Sequence, residues 1–133
     1  MCLPHPESSL LPLVYKAAQV AATSTFGKFR VGAILFDKRG RVISSGVNSR
    51  KSHPRQKGVD GRGETKIFLH AEISALVRAR KTPYTIVVAR VNKGGEIRLA
   101  RPCLACWEAS LEAGVERIVW STGNEEVFDY FEL

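Results

Sequence analysis

Apolar positions near the start of the chain recur at helical spacing. Leu10, Val14, Ala17, Ala18 and Ala21 predict a helix over 8–24. Ser8 or Ser9 can cap it, and Pro12 is read as part of a tolerant first turn. The period then changes. Residues 30–36 (RVGAILF) predict a buried strand, 37–40 (DKRG) a turn, and 41–47 (RVISSGV) a returning strand, so 30–47 reads as a hairpin. Residues 49–68 break the pattern with Pro54, Gly58, Gly61, Gly63 and six basic residues. A loop of about 20 residues is uncommon in a compact domain and usually functional or mobile. Helical spacing resumes from His70 through Ala71, Ile73, Ala75, Leu76 and Ala79, ending near Lys81. A strand over 84–91, a turn at 92–95 and a short antiparallel piece over 96–100 follow. A helix over 103–113 closes at Gly114, where glycine suits a C-cap. A strand over 115–121 comes next, and the acidic, aromatic tail from Asn124 is read as one last helix.

This order is one domain over 1–133, without internal repeats. Strands alternating with helices in the second half predict a three-layer α-β-α arrangement of α/β class. It would have a central mixed sheet of four to five strands with helices on both faces. Strands joined by helical crossovers should run parallel.

Composition narrows the class. The 133 residues are 44% hydrophobic and 25% charged, ordinary for a globular protein able to bury one core. Three cysteines are too few for a disulfide scaffold, so a reducing, cytoplasmic setting is expected. No run approaches the roughly 18–20 apolar residues that span a bilayer, and no signal peptide is read, so no membrane partner is expected. The net charge of +7 is uneven. Residues 28–66 hold eleven basic and three acidic residues, a net of +8, and the remainder nets −1. Such a focused field attracts phosphate, on a small nucleotide or a polymer, unless it is only a solvated surface.

Two motifs carry the chemistry. His70-Ala71-Glu72 opens one predicted helix and Pro102-Cys103-Leu104-Ala105-Cys106 opens the next, across one strand. In an α/β layer the two helix N-termini can meet. Zinc takes imidazole nitrogen and thiolate sulfur. A helix N-terminus favours thiolate. His70, Cys103 and Cys106 as ligands of Zn2+ leave a fourth position for water, which the metal acidifies. Glu72, two residues after the histidine, would sit beside the ion and shuttle a proton. Taken singly, the motifs have plainer readings: a capping histidine, or a structural or redox Cys-x-x-Cys. A closed structural site would need a fourth ligand from Cys2, His5 or His53, none of which has a neighbour that makes a ligand pair.

With these motifs the chain resembles the cytidine/deoxycytidylate deaminase superfamily, from about Ser24 to Trp120. Residues 24–33 (STFGKFRVGA) are similar to the segment entering the family's first strand, and Gly46-Val47-Asn48 to the end of the second. The resemblance implies a cytidine deaminase-like fold and a hydrolytic deaminase. It implies zinc on His70, Cys103 and Cys106, and Glu72 as proton shuttle. It further implies Asn48 on the substrate ribose, the Ala71 N–H on the base, and a homo-oligomer. Phe26 could stack on a pyrimidine or pack in the core, whereas Phe29 is read as core. Histidine as first ligand resembles the deoxycytidylate, guanine and tRNA-adenosine branches. Where free-nucleoside deaminases carry a glutamate after the asparagine, this chain has Ser49, Arg50 and Lys51. Cations there suit a phosphate, so Arg50, Lys51 and His53 are substrate candidates, and Arg101 is a further one at the mouth. The leading expectation is deamination of cytosine in a small, deoxycytidylate-type nucleotide. The alternatives are a polynucleotide deaminase that tracks nucleic acid with its basic 50–66 loop and a non-catalytic zinc-stabilised module.

Overall fold

The computed structural model describes residues 6–25, 29–49 and 69–133, with side chains from residue 9 onward. The elements are α1 (Pro6–Ala21), β1 (Arg30–Phe36), β2 (Val42–Val47), α2 (Ala71–Arg78), β3 (Thr85–Val91), β4 (Ile97–Arg98), α3 (Leu104–Glu112), β5 (Arg117–Ser121) and β6 (Phe128–Glu132). The expected three-layer α/β architecture is present. A continuous path of five strands runs β2-β1-β3-β5-β6, with β4 added against the end of β3. β3 and β5, joined through α3, pair in parallel, and every other pairing is antiparallel.

The period of two along each strand sorts the core into two layers. Ala33, Leu35, Ile86, Val88, Ile118 and Trp120 face α2 and α3. Ile34, Phe36, Val87, Ala89 and Val119 face Leu10, Val14 and Ala17 of α1. Strands covered on both faces are mainly apolar, as β1 and β3 are. No helix among the described residues is long and apolar enough to cross a membrane.

Two glycines set how closely the helices dock. A Cβ on Gly32 would lie 2.7 Å from the Ala17 carbonyl oxygen of α1. A Cβ on Gly46 would lie 2.6 Å from the Ala75 nitrogen and 2.7 Å from the Ala71 oxygen of α2. Without these side chains α2 lies directly on β2, which places its N-terminus over the ends of the central strands.

Two expectations are corrected. Pro12 lies inside α1, seven residues in, on its exposed side. The tail is a strand. Val127, with φ of 69°, closes a turn in which Thr122 N–H donates to the Val127 carbonyl at 2.8 Å. The chain then pairs antiparallel with β5. Phe128 and Tyr130 pack towards α1 and Phe131 towards α3. That alternation, with aromatic residues suited to a pleated surface, decides for strand over helix.

Candidate metal centre

The two motif-bearing helices begin at their ligands. His70 is the N-cap of α2 and Cys103 the N-cap of α3; both are extended, and neither side chain caps its helix. Cys106 lies in the first turn of α3 and is buried. Freed from capping, the side chains converge. His70 Nδ1 lies 3.3 Å from Cys106 Sγ and 3.6 Å from Cys103 Sγ. All three donor atoms lie within 4.8 Å of one another, the one such group of three among the described residues. Tetrahedral zinc with ordinary bond lengths places a nitrogen and a sulfur ligand about 3.5 Å apart. This donor set therefore fits zinc, with three protein ligands.

The electrostatics agree. The Cys103 thiol is lowered to about 4, first by its hydrogen bond with Cys106 and then by that with His70, against the effect of burial. A thiolate is what a metal requires. His70 is raised, chiefly by its hydrogen bond with Cys103 and by the charge of Glu72, with burial opposing.

Glu72 is 5% exposed in the first turn of α2. Burial raises its pKa, while its own backbone N–H, the charge of His70 and a hydrogen bond with Cys106 hold it down. It is thus beside the cluster, and its affinity for a proton is enhanced. The Ala71 N–H, at the first helical position, has no acceptor within the helix.

His70, Ala71, Glu72 and Cys103 line a cleft of about 320 Å³ with Phe29, Val31, Asn48, Leu69, Arg90, Leu99, Ala100 and Arg101. The size suits a small ligand. A hollow of about 750 Å³ between α2 and α3 contains none of the three ligand side chains.

Asn48 is buried at the cleft wall and tied into the frame. Its Oδ1 accepts from Ser24 Oγ at 2.7 Å and from Val31 N–H at 3.0 Å, and its Nδ2 donates to the Phe29 carbonyl at 2.5 Å. Among the described residues its second Nδ2 hydrogen meets no acceptor. Phe29, expected in the core, is instead 52% exposed. Its ring carries the Arg90 guanidinium, 4.3 Å from the centroid. Phe26, Arg50, Lys51 and His53, like the rest of the 50–66 segment, lie outside the described residues. Arg90 was not singled out in the sequence, although a lone arginine in the otherwise uncharged β3 is a legible signal. Trp107 braces the site from beneath, with ring centroids 5.7 Å from Trp120 and 5.1 Å from Phe131.

Comparison with known proteins bears on this geometry. The family model described as the cytidine and deoxycytidylate deaminase zinc-binding region matches residues 6–122. The tRNA(Ile)-lysidine synthase of Deinococcus deserti is 32% identical over 94 residues, which cover 71% of this chain and 15% of that protein. The chain thus spans a small part of the length of this curated relative. The dCMP deaminase of cyanophage S-TIM5, solved in complex with dCMP and dUMP, has a TM-score of 0.54 at 19% identity. The match covers 92% of this chain and 85% of that one. Its apo form gives 0.54 at 18% identity, over 95% and 90%. At these identities the likeness is one of fold.

Proposed function

This chain belongs to the cytidine and deoxycytidylate deaminase zinc-binding family, and from that premise we propose that it deaminates cytosine in a small, deoxycytidylate-type nucleotide. The reading is carried by one observation: a buried carboxyl, Glu72, set against the His70, Cys103 and Cys106 donors at the floor of an open cleft. Zinc held by these three residues supplies an activated water at the cleft floor.

The chain's own groups do the rest. The Ala71 N–H and the second Nδ2 hydrogen of Asn48 orient the substrate. Glu72 accepts a proton from the attacking water and delivers it to ring N3 as the C4–O bond forms. A second transfer through Glu72 leads to loss of the C4 amine as ammonia, leaving uracil. The raised pKa of Glu72 suits both halves, because a shuttle works best when its pKa approaches the working pH. Water is the only co-reactant, so no redox cofactor is needed.

A second reading has two observations in its favour. The curated relative is named for tRNA modification, and the 28–66 surplus of +8 suits a polynucleotide backbone. A screen for ammonia release over free bases, nucleosides, nucleotides and single-stranded oligonucleotides, with and without zinc, tests both. Zinc-dependent release from a cytosine mononucleotide supports the first reading. Release confined to oligonucleotide or tRNA replaces it with the second. No release from any substrate by zinc-loaded protein returns the chain to a non-catalytic zinc module. Homo-oligomerisation is part of the proposal, and sedimentation velocity tests it.

A further inference from the structure

Resting on the deaminase reading of the cleft, we propose that Arg90 selects a phosphorylated substrate by binding its phosphate. Arg90 is the one charged residue of β3. It lies near the carboxyl end of that strand, on the same sheet face as Ile86 and Val88, and lines the cleft that holds Glu72 and the metal ligands. Ligands of open α/β sheets bind at that end.

Its surroundings are unusual for a half-buried cation. The Nε–H is hidden from solvent with no hydrogen-bond acceptor. Among the described residues no carboxylate or carbonyl meets the guanidinium; its side-chain partner is the Phe29 ring. The backbone N–H of the same residue is tied to Ser121 Oγ at 3.1 Å, so the strand is fixed beneath it. A buried N–H without an acceptor is costly. The cation–π contact with Phe29 offsets part of that cost and holds the guanidinium over the ring. A guanidinium held in a cleft with an unused N–H donor suits phosphate oxygens. Among the described residues Arg101 is the second arginine on the cleft, and Glu72 is the one acid lining it. The cleft wall away from the metal ligands therefore favours an anion. Phosphate on a mononucleotide and phosphate in a strand present the same chemistry to Arg90.

Calorimetric titration of the zinc-loaded protein with inorganic phosphate, dCMP, deoxycytidine and a short single-stranded oligonucleotide tests the assignment. Arg90→Met keeps the apolar stem over Phe29 and removes the guanidinium; Arg90→Lys restores charge without it. Arg39→Ala, in the exposed β1–β2 turn, controls for net charge. The preference for dCMP over deoxycytidine should fall roughly 10- to 100-fold in Arg90→Met. Part should return in Arg90→Lys, and none should be lost in Arg39→Ala. If the Arg90-dependence appears with oligonucleotide and not with dCMP, the phosphate comes from a strand. An Arg90→Met variant that changes neither this preference nor the affinity for oligonucleotide overturns the proposal. In the wild-type protein the Arg90 Nε–H resonance should shift on titration with inorganic phosphate; a stationary resonance also overturns it, without any variant having to fold. Ammonia release is read separately. Its absence alongside Arg90-dependent phosphate binding sinks only the deaminase reading, and its presence without that dependence sinks only this one.

Discussion

His70 and Cys106 are 36 residues apart in sequence, yet Nδ1 of the one lies 3.3 Å from Sγ of the other. The contact fixes which ring nitrogen faces the thiols, and it makes protons and metal compete for the same atoms. His70 is raised above its ordinary 6.5 and Cys103 is lowered to about 4. Above the raised value of His70 its imidazole is neutral and ready to ligate. Between the two values the metal must displace at least the imidazolium proton. Apparent zinc affinity should therefore fall about tenfold per pH unit below the His70 transition. Competition with a chromophoric chelator from pH 8 to pH 5 measures the slope, and a flat profile would contradict Nδ1 ligation.

Glu72→Gln should keep fold and zinc while reducing ammonia release by at least about a hundredfold, the lower end of what a positioned proton shuttle contributes. Metal content and the far-ultraviolet circular dichroism spectrum check the first part, and steady-state assay the second. Retained turnover would remove Glu72 from the reaction.

Gly46→Ala should disturb the site from a distance. The new Cβ would meet the Ala75 nitrogen at 2.6 Å and Ser74 Cβ at 2.7 Å. These are backbone and a short side chain that cannot swing aside, so α2 must move, at a cost of about 1–3 kcal/mol. His70 stands at the N-cap position of that helix, so weaker zinc binding should accompany the lost stability. Urea denaturation and the same chelator assay report the two effects.

Asn48→Ala should destabilise the protein by about 2–4 kcal/mol in the absence of any ligand, because three hydrogen bonds joining Ser24, Phe29 and Val31 vanish together. A residue serving substrate alone would leave the urea midpoint of the ligand-free protein unchanged.

Much of this was legible because periodicity and chemistry coincide. The apolar runs of β1 and β3 and the helical spacing after His70 report burial directly, and two motifs at adjacent helix starts report a shared site. The tail was misread because Phe128, Tyr130 and Phe131 fit either period over so short a stretch; the Val127 turn, with its positive φ, decides the outcome. Phe29 was misassigned because hydrophobicity does not reveal an exposed ring that holds a cation. Arg90 was passed over because its neighbours, Val88, Ala89 and Val91, made the strand look wholly internal. In each case the missing information was tertiary: which face a residue occupies, and what lies across from it.

His70 and Cys103 stand where serine, threonine or aspartate would ordinarily secure the start of a helix, and neither does so. Two helix origins are thus left without that local support, and a shared ion is what can tie them together. Scarcity of the metal should then loosen these same two ends first and open them to proteases.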